Sequence, residues 1–544
     1  MGFLKQFFIS FSTIIALAVV VVSGAEPPAW NPYYSLQAQI SIPYADVQEP
    51  FKAWYDSESG NSRIDYYDGM AKTYQLSGKG DFGASIKVVP VTTETETNTV
   101  KCLQVNGTKE MHITLQQALP DLKNFKLASI DGDKFEKWIS VVRVGDKVSK
   151  YTIWLSREDN YIIPLRYEMK GFNSLFGSHY DHYIIDYEIF IPSKPEPSNF
   201  NVEDMHCESF PGPGIDHVYT FNPMMEFINN YDDHVDNSFD HFKKHHRRNY
   251  NNSTKEHFTR KNYFRQNLRF IHSKNRANNG YTLAVNHLAD KSELELKSLY
   301  GYKKTMLENN GGKPFTYDSN NIEELPSEID WRIKGAVNPV KDQSVCGSCW
   351  SFGTTGAVEG AYFLKHGHRA SFSEQSLVDC SWGFGNNGCD GGEDFRAYQW
   401  IEKHGIPTEE AYGPYLSQDG LCHESNMTTD GLTKISGFVN VTQYDEEALK
   451  SALVNHGPIS IAIYASLKTF SFYSNGVFYD PKCLNKPKEL NHAVLLVGYG
   501  DLNGSPYWLV KNSWSNFWGN DGYVLISRKN NNCGVLTSPT YVLM

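Results

Sequence analysis

Along Tyr183-Ile184-Ile185-Asp186-Tyr187-Glu188-Ile189, aromatic and β-branched residues alternate with polar ones, as they do in Tyr151–Leu155 and Leu165–Met169. A period of two marks strands with one wet face. Gly, Asn and Asp clusters separate these runs, so residues 26–223 are expected to form an antiparallel β-rich domain. The pattern changes after Pro223: residues 236–305 read as helical and basic. A polar linker, 306–324, follows with Asn309-Asn310-Gly311-Gly312, the composition of an exposed, cleavable strip. Further on, a buried helix is expected from Cys349 to about Leu364, through Phe352, Ala357 and Val358. Gly353, Gly356 and Gly360 weaken it by roughly 1 kcal/mol each relative to Ala, but they allow close approach, which makes the helix central.

Residues 1–25 read as a signal peptide. Lys5 precedes the apolar run Ile14–Val22, and Ser23-Gly24-Ala25 offers small residues for cleavage. That run is far shorter than the roughly 20 residues a bilayer core requires, and no later stretch is longer, so a soluble secretory protein without a membrane span is expected. Sequons at Asn106, Asn251, Asn252, Asn426 and Asn440 fit that route. A chain of 544 residues exceeds one hydrophobic core. Its net charge of −11 argues against nucleic acid as a partner. The charge is uneven. Residues 236–305 hold 15 Lys/Arg against 6 Asp/Glu, a net +9, whereas residues 325–544 hold 16 against 22, a net −6. Opposite signs predict that the basic segment docks on the acidic region 325–544, and that acid, near pH 4–5, releases it as carboxylates protonate.

Nine cysteines in an oxidising compartment leave one thiol unpaired. Cys102 and Cys207 are the only two before residue 340 and are expected to pair. Neither a metal nor a cofactor is expected. His179 and His182 read as structural or surface histidines, and His245-His246 has no partner cysteines. Gly383-x-Gly385-x-x-Gly388 lacks the preceding strand and following helix of a dinucleotide site.

The stretch Gln343-Ser344-Val345-Cys346-Gly347-Ser348-Cys349-Trp350-Ser351-Phe352 contains the signature that surrounds the nucleophile of papain-like proteases. The resemblance to the papain family extends over residues 325–544. Asp330-Trp331-Arg332, Asn491-His492-Ala493 and Lys511-Asn512-Ser513-Trp514 follow in the family's order. It implies an α+β fold of two lobes, one helical and one β-barrel-like, with a thiol endopeptidase site between them acting on protein and peptide substrates. Cys349 would be the nucleophile, its pKa lowered by a helix N-terminus and by a neighbouring imidazolium at His492. Asn512 would orient that imidazole, and Trp514, counted with the substrate-binding residues, would shield their bond. Gln343 would donate to the oxyanion together with the Cys349 N–H. The resemblance further implies disulfides Cys346–Cys389, Cys380–Cys422 and Cys483–Cys533, which leave Cys349 free. A Gly391-Gly392 pair would bind substrate backbone, and Glu393, Asp394, Ala462, Leu490, Ala493 and Ser538 would wall the pocket for the residue before the cleaved one. Whether Glu393 and Asp394 face that pocket or solvent stays open at this point.

The basic segment resembles the inhibitory propeptide of cathepsin L-type enzymes. Glu256, Arg260, Phe264, Asn267, Ile271 and Asn275 match its helix motif, with Tyr263 in place of a small aliphatic residue. Ala284-x-Asn286-x-Leu288-x-Asp290 matches a second motif with Ala for Gly and Leu for Phe. The chain would then be a zymogen inhibited by its own propeptide, destined for a lysosome, a secretory granule or the outside. The whole layout resembles the two-subunit cysteine proteinases of insect blood cells, in which the amino-terminal part is retained as a second subunit. Two rivals are a ligand-binding protein in which the sheet carries the main role, and a peptide ligase using the same acyl-enzyme.

Overall fold

A computed structural model describes the chain except for residues 1–24, 133, 159–160, 175–176, 211–216, 231–232, 252–253, 306–308, 317–324 and 424–430. The signal segment up to residue 24 and the sequon residues Asn252 and Asn426 lie outside the described residues. Among the described residues no helix is long and apolar enough to cross a membrane.

Residues 33–209 build a twelve-stranded sheet. All its long neighbours are antiparallel, and the short strand Glu208–Ser209 adds in parallel to Leu103–Gln104. Strict alternation creates it: along Tyr33–Ile42 every second residue, Tyr34, Leu36, Ala38, Ile40 and Ile42, is buried. That first strand is central, pairing with Val47–Asp56 on one side and with the long late strand Ser178–Ile191 on the other. The sheet's buried face continues past Pro223. Met224, Phe227 and Ile228 join its core. The helix Lys255–Arg276, capped by the Thr254 side chain, also lies against this face.

The remainder has two lobes. One gathers the helices Cys349–His366, Glu374–Cys380 and Asp394–His404, and the other carries strands including Ile459–Ile463, His492–Leu502, Ser505–Lys511 and Tyr523–Ser527. The Cys349 helix packs directly on the β lobe. A Cβ at Gly356 would lie 2.7 Å from Leu495, which is why a glycine is worth its helical cost there. The β lobe is lengthened at both ends by segments that precede it in the chain. Tyr281–Leu283 pairs antiparallel with the Tyr473–Gly476 edge, and Lys313–Pro314 pairs in parallel with Val439–Asn440. The linker is therefore partly seated and not simply a free strip: Gln399 donates to the Asn310 carbonyl, and the Phe315 N–H to that of Asn440.

Four disulfides join Cys102 to Cys207, Cys346 to Cys389, Cys380 to Cys422 and Cys483 to Cys533. Asn106 and Asn251 are exposed, but Asn440 is half-buried with its Nδ2 donating to Asn310 Oδ1.

Candidate active site

Cys349 is the free cysteine, fully buried at the first turn of its helix. Its Sγ accepts the N–H of Gly301, from the basic segment, at 3.3 Å and that of Ala493 at 3.4 Å. Opposite, His492 opens a strand held by pairing with Ile459–Ile463. His492 Nε2 lies 2.7 Å from Asn512 Oδ1; a carbonyl oxygen only accepts, so the proton is on Nε2 and Nδ1 keeps its lone pair. The Trp514 ring covers the imidazole at 4.8 Å between centroids. Burial pushes the Cys349 thiol up to about 11 and the His492 imidazole down to about 4, with the Asn512 bond and the Leu299 carbonyl opposing the latter. Burial thus disfavours charge on both groups in this state.

The cleft is filled by the chain itself. Gln343 Nε2 donates to the Leu299 carbonyl at 3.0 Å as well as to that of Cys346 at 2.8 Å, and its Oε1 accepts from Ser513. Gly392 N–H donates to the Gly301 carbonyl at 2.8 Å, and its own carbonyl accepts from Lys303 at 3.1 Å. Gly391 does not share this task. Its N–H donates to Gly388 and its carbonyl accepts from Asn387, which shapes the loop instead. Tyr302 is 5% exposed and packs in one cluster with Cys349, Ala462, Leu490 and Ala493. No side chain fits at residue 301, where a Cβ would sit 1.7 Å from the Gly347 carbonyl oxygen.

Behind Tyr302 lies a cavity of about 540 Å³, lined by Asp394, Ser538, Thr540 and Lys304 among others. Asp394 borders this cavity, which linker residues such as Asn310 and Phe315 also line. Its Oδ2 accepts from Thr540 at 2.5 Å, and burial holds its carboxyl above the ordinary range. Glu393 is buried as well, 3.6 Å from Arg396, and does not line the cavity. Sequence reasoning missed Leu299, Gly301, Tyr302 and Lys303, because the cleft is crossed by backbone bonds that no residue type announces.

The basic segment does not simply lie against the acidic region, as its net charge suggested. Its buried Arg269 pairs with Asp181 and Glu226, and Arg276 with Glu49, all of them in the sheet or the connector. Against residues 325–544 it sets histidines: His246 and His245 contact the Phe517 ring at 5.1 and 5.6 Å, and His287 at 6.3 Å. Burial lowers His246 to about 4 and His287 to about 3.

Family comparisons agree with this geometry. Residues 325–543 match the model of papain family cysteine proteases, and residues 239–296 match the cathepsin propeptide inhibitor domain. A cathepsin L-like peptidase of Aedes aegypti is 45% identical over 315 residues, which is 56% of this chain and 91% of that protein. Cathepsin L of Sarcophaga peregrina is 44% identical over 55% of this chain and 90% of its own length. Among solved structures, digestive procathepsin L 3 from Tenebrio molitor larval midgut superposes with a TM-score of 0.52 at 38% identity, covering 57% of this chain and 99% of that one. The sheet of residues 33–209 lies outside both matched family models. With a free thiol facing an asparagine-held imidazole and an inhibitor strand through the cleft, this chain belongs to the papain family of cysteine proteases and is a cathepsin L-like zymogen.

Proposed function

We propose that Cys349 is the nucleophile, His492 its acid–base partner, Asn512 the group that orients the imidazole, and Gln343 with the Cys349 N–H the oxyanion donors. The observation that carries this is the single unpaired thiol at a helix start, its Sγ accepting the N–H of Ala493, the residue next to the asparagine-held His492. Once residues 299–303 leave, water enters. The helix N-terminus and the imidazolium then favour the thiolate, and the pair ionises. The thiolate sulfur bonds to the substrate carbonyl carbon, and the oxyanion takes the Gln343 amide that Leu299 occupies in the zymogen. The C–N bond breaks as His492 protonates the leaving amine; water, deprotonated by His492, then releases the acid and restores the thiol. Replacement of Cys349 by Ser is expected to lower peptide hydrolysis by about 10⁴-fold or more with the fold intact. Labelling of the processed protein by an epoxide-type thiol inhibitor should map to Cys349. Activity within tenfold of wild type would sink the assignment.

Substrate backbone would pair with Gly392. The side chain before the cleaved residue would enter where Tyr302 lies, against Ala462, Leu490 and Ala493, with Asp394 and Ser538 deeper and Gly391 shaping the loop. Burial of Leu, Val or Phe there is worth about 1.5–3 kcal/mol, roughly 10–150-fold over Gly. Lys or Arg would also be accepted, stem along Leu490 and charge toward Asp394. A peptide library varied at that position checks this; preference for Asp or Glu would overturn the pocket.

The working division of the chain is signal peptide 1–25, β-rich domain 26–223, propeptide 236–305, linker 306–324 and peptidase 325–544. The signal pattern and disulfides support a route to a lysosome, a granule or the outside. Processing in the linker would leave the amino-terminal domain as a second subunit.

A further inference from the structure

The helix Lys255–Arg276 is buried all round at its centre: every residue from Phe264 to Ile271 is buried, including Arg265, Gln266, Asn267 and Arg269. Eight consecutive positions are more than two turns, so two different bodies must cover opposite faces. On one face Phe270 meets Lys468 of the peptidase, 4.8 Å from its ring. On the other, the residues spaced by three and four, Arg265, Arg269, Ser273 and Arg276, meet the amino-terminal sheet. Arg269 grips Asp181 through both Nη atoms, at 2.7 and 3.0 Å, and Glu226 through Nε at 2.6 Å. Gln266 also reaches Asp181, and Arg276 holds both oxygens of Glu49 at 2.6 and 2.9 Å. Ser273 shares a 2.6 Å hydrogen bond with Tyr67. Asp181, Glu49 and Glu226 are each 2% exposed. A buried guanidinium or carboxylate deprived of its partner is strongly unfavourable, so neither surface is suited to standing alone.

We propose that the sheet of residues 33–209 is the second half of the inhibitor: it clamps the outer face of the propeptide helix, and the unit that opposes the peptidase is sheet plus helix as one body. This goes beyond the catalytic assignment and does not depend on which residue is the nucleophile. The clamp is also suited to acid. The groups facing its carboxylates are Arg265, Arg269 and the Glu226 carboxylate at Asp181, Arg269, His234 and Tyr219 at Glu226, and Arg276 with Tyr66, Tyr67 and Tyr219 at Glu49; Lys87 and His272 stand near Arg276. Burial alone would raise Asp181 and Glu226, but the arginines outweigh it and hold both below the ordinary carboxylate range. Groups depressed in this way stabilise above their unfolded pKa and lose that contribution only as pH falls toward the depressed value. The Asp181 and Glu226 arms of the clamp are therefore retained as pH falls into the ordinary carboxylate range.

Two measurements on the full chain decide it. Zymogen processed at pH 4.5 is resolved by size exclusion and native mass spectrometry. The sheet and residues 255–276 are expected in one species, whether or not the chain between them is nicked; helix peptide found apart from the sheet would overturn the proposal. In the second, Asp181→Asn with Glu49→Gln should speed self-processing at pH 7.5 by about tenfold or more, with kcat/KM of the processed enzyme unchanged. Conversion within twofold of wild type in a folded variant would overturn it. If the variant does not fold, the first measurement decides alone.

Discussion

The propeptide meets the rest of the chain on two faces made of different bonds. Toward the peptidase they are backbone and amide hydrogen bonds: Gly301 on Cys349, Gly392 on Gly301, Leu299 on Gln343, and the strand pair Tyr281–Leu283 with Tyr473–Gly476. Toward the sheet they are buried arginine–carboxylate pairs. A peptide substrate or water can replace the first set bond for bond. Nothing in the cleft can replace the second. The zymogen thus separates a contact built to be exchanged from one built to last.

The exchangeable face breaks hardest at Gln343. Because its amide serves the Leu299 carbonyl now and would serve the oxyanion later, Gln343→Ala should cost about 10²–10³ in kcat of the processed enzyme, with KM little changed. A parallel rise in KM would show that the amide binds ground state and transition state alike. Next comes Gly301→Ala. Its Cβ would collide with backbone at Gly347, which cannot swing aside as a side chain can, so latency at pH 7.5 should weaken by about 10–100-fold. Unchanged latency would mean the strand does not cross the cleft as described.

The smallest effect concerns acid, where the sign differs from the carboxylate expectation. Asp394 and Glu393 are raised by burial in the zymogen, so protonation favours keeping them buried and cannot drive release. The histidines have the opposite sign. His246 and His287 are lowered by burial, with His245, His241, Arg248 and Lys291 adding repulsion and Asp290 opposing it at His246. Their contribution to docking is present above about pH 6.5 and is lost as pH falls toward about 4. His246→Gln with His287→Gln should therefore flatten the ratio of conversion at pH 4.5 to that at pH 7.5 by a few-fold to about tenfold. A ratio equal to wild type would place the trigger elsewhere.

How far the sequence discloses all this depends on what each region needs. Thiol chemistry requires particular residue types within short stretches, so Cys349, His492, Asn512 and Gln343 stand out and the fold brings them to one cleft. Alternation announces strands such as Ser178–Ile191, but not their order: that Tyr33–Ile42 lies between Val47–Asp56 and Ser178–Ile191 follows from long-range pairing. Net charge proved least informative. A sum of +9 against −6 cannot foretell that Arg269 and Arg276 turn toward three carboxylates of the sheet and connector, because a buried ion pair is decided by local geometry and desolvation. The pocket acids were undecidable for the same reason; only helix placement sends Asp394 inward while Glu393 meets Arg396.

The two short strands that lengthen the peptidase sheet have a consequence for the enzyme's life after activation. Tyr281–Leu283 covers the Tyr473–Gly476 edge, and Lys313–Pro314 covers the Val439–Asn440 edge. Release of both segments would uncover these edges together, and an open strand edge is a template for any extended chain that arrives, including another copy of the enzyme. The latent form is therefore the one fit for crowding at high concentration. The mature form should show a concentration-dependent tendency to self-associate that the zymogen lacks.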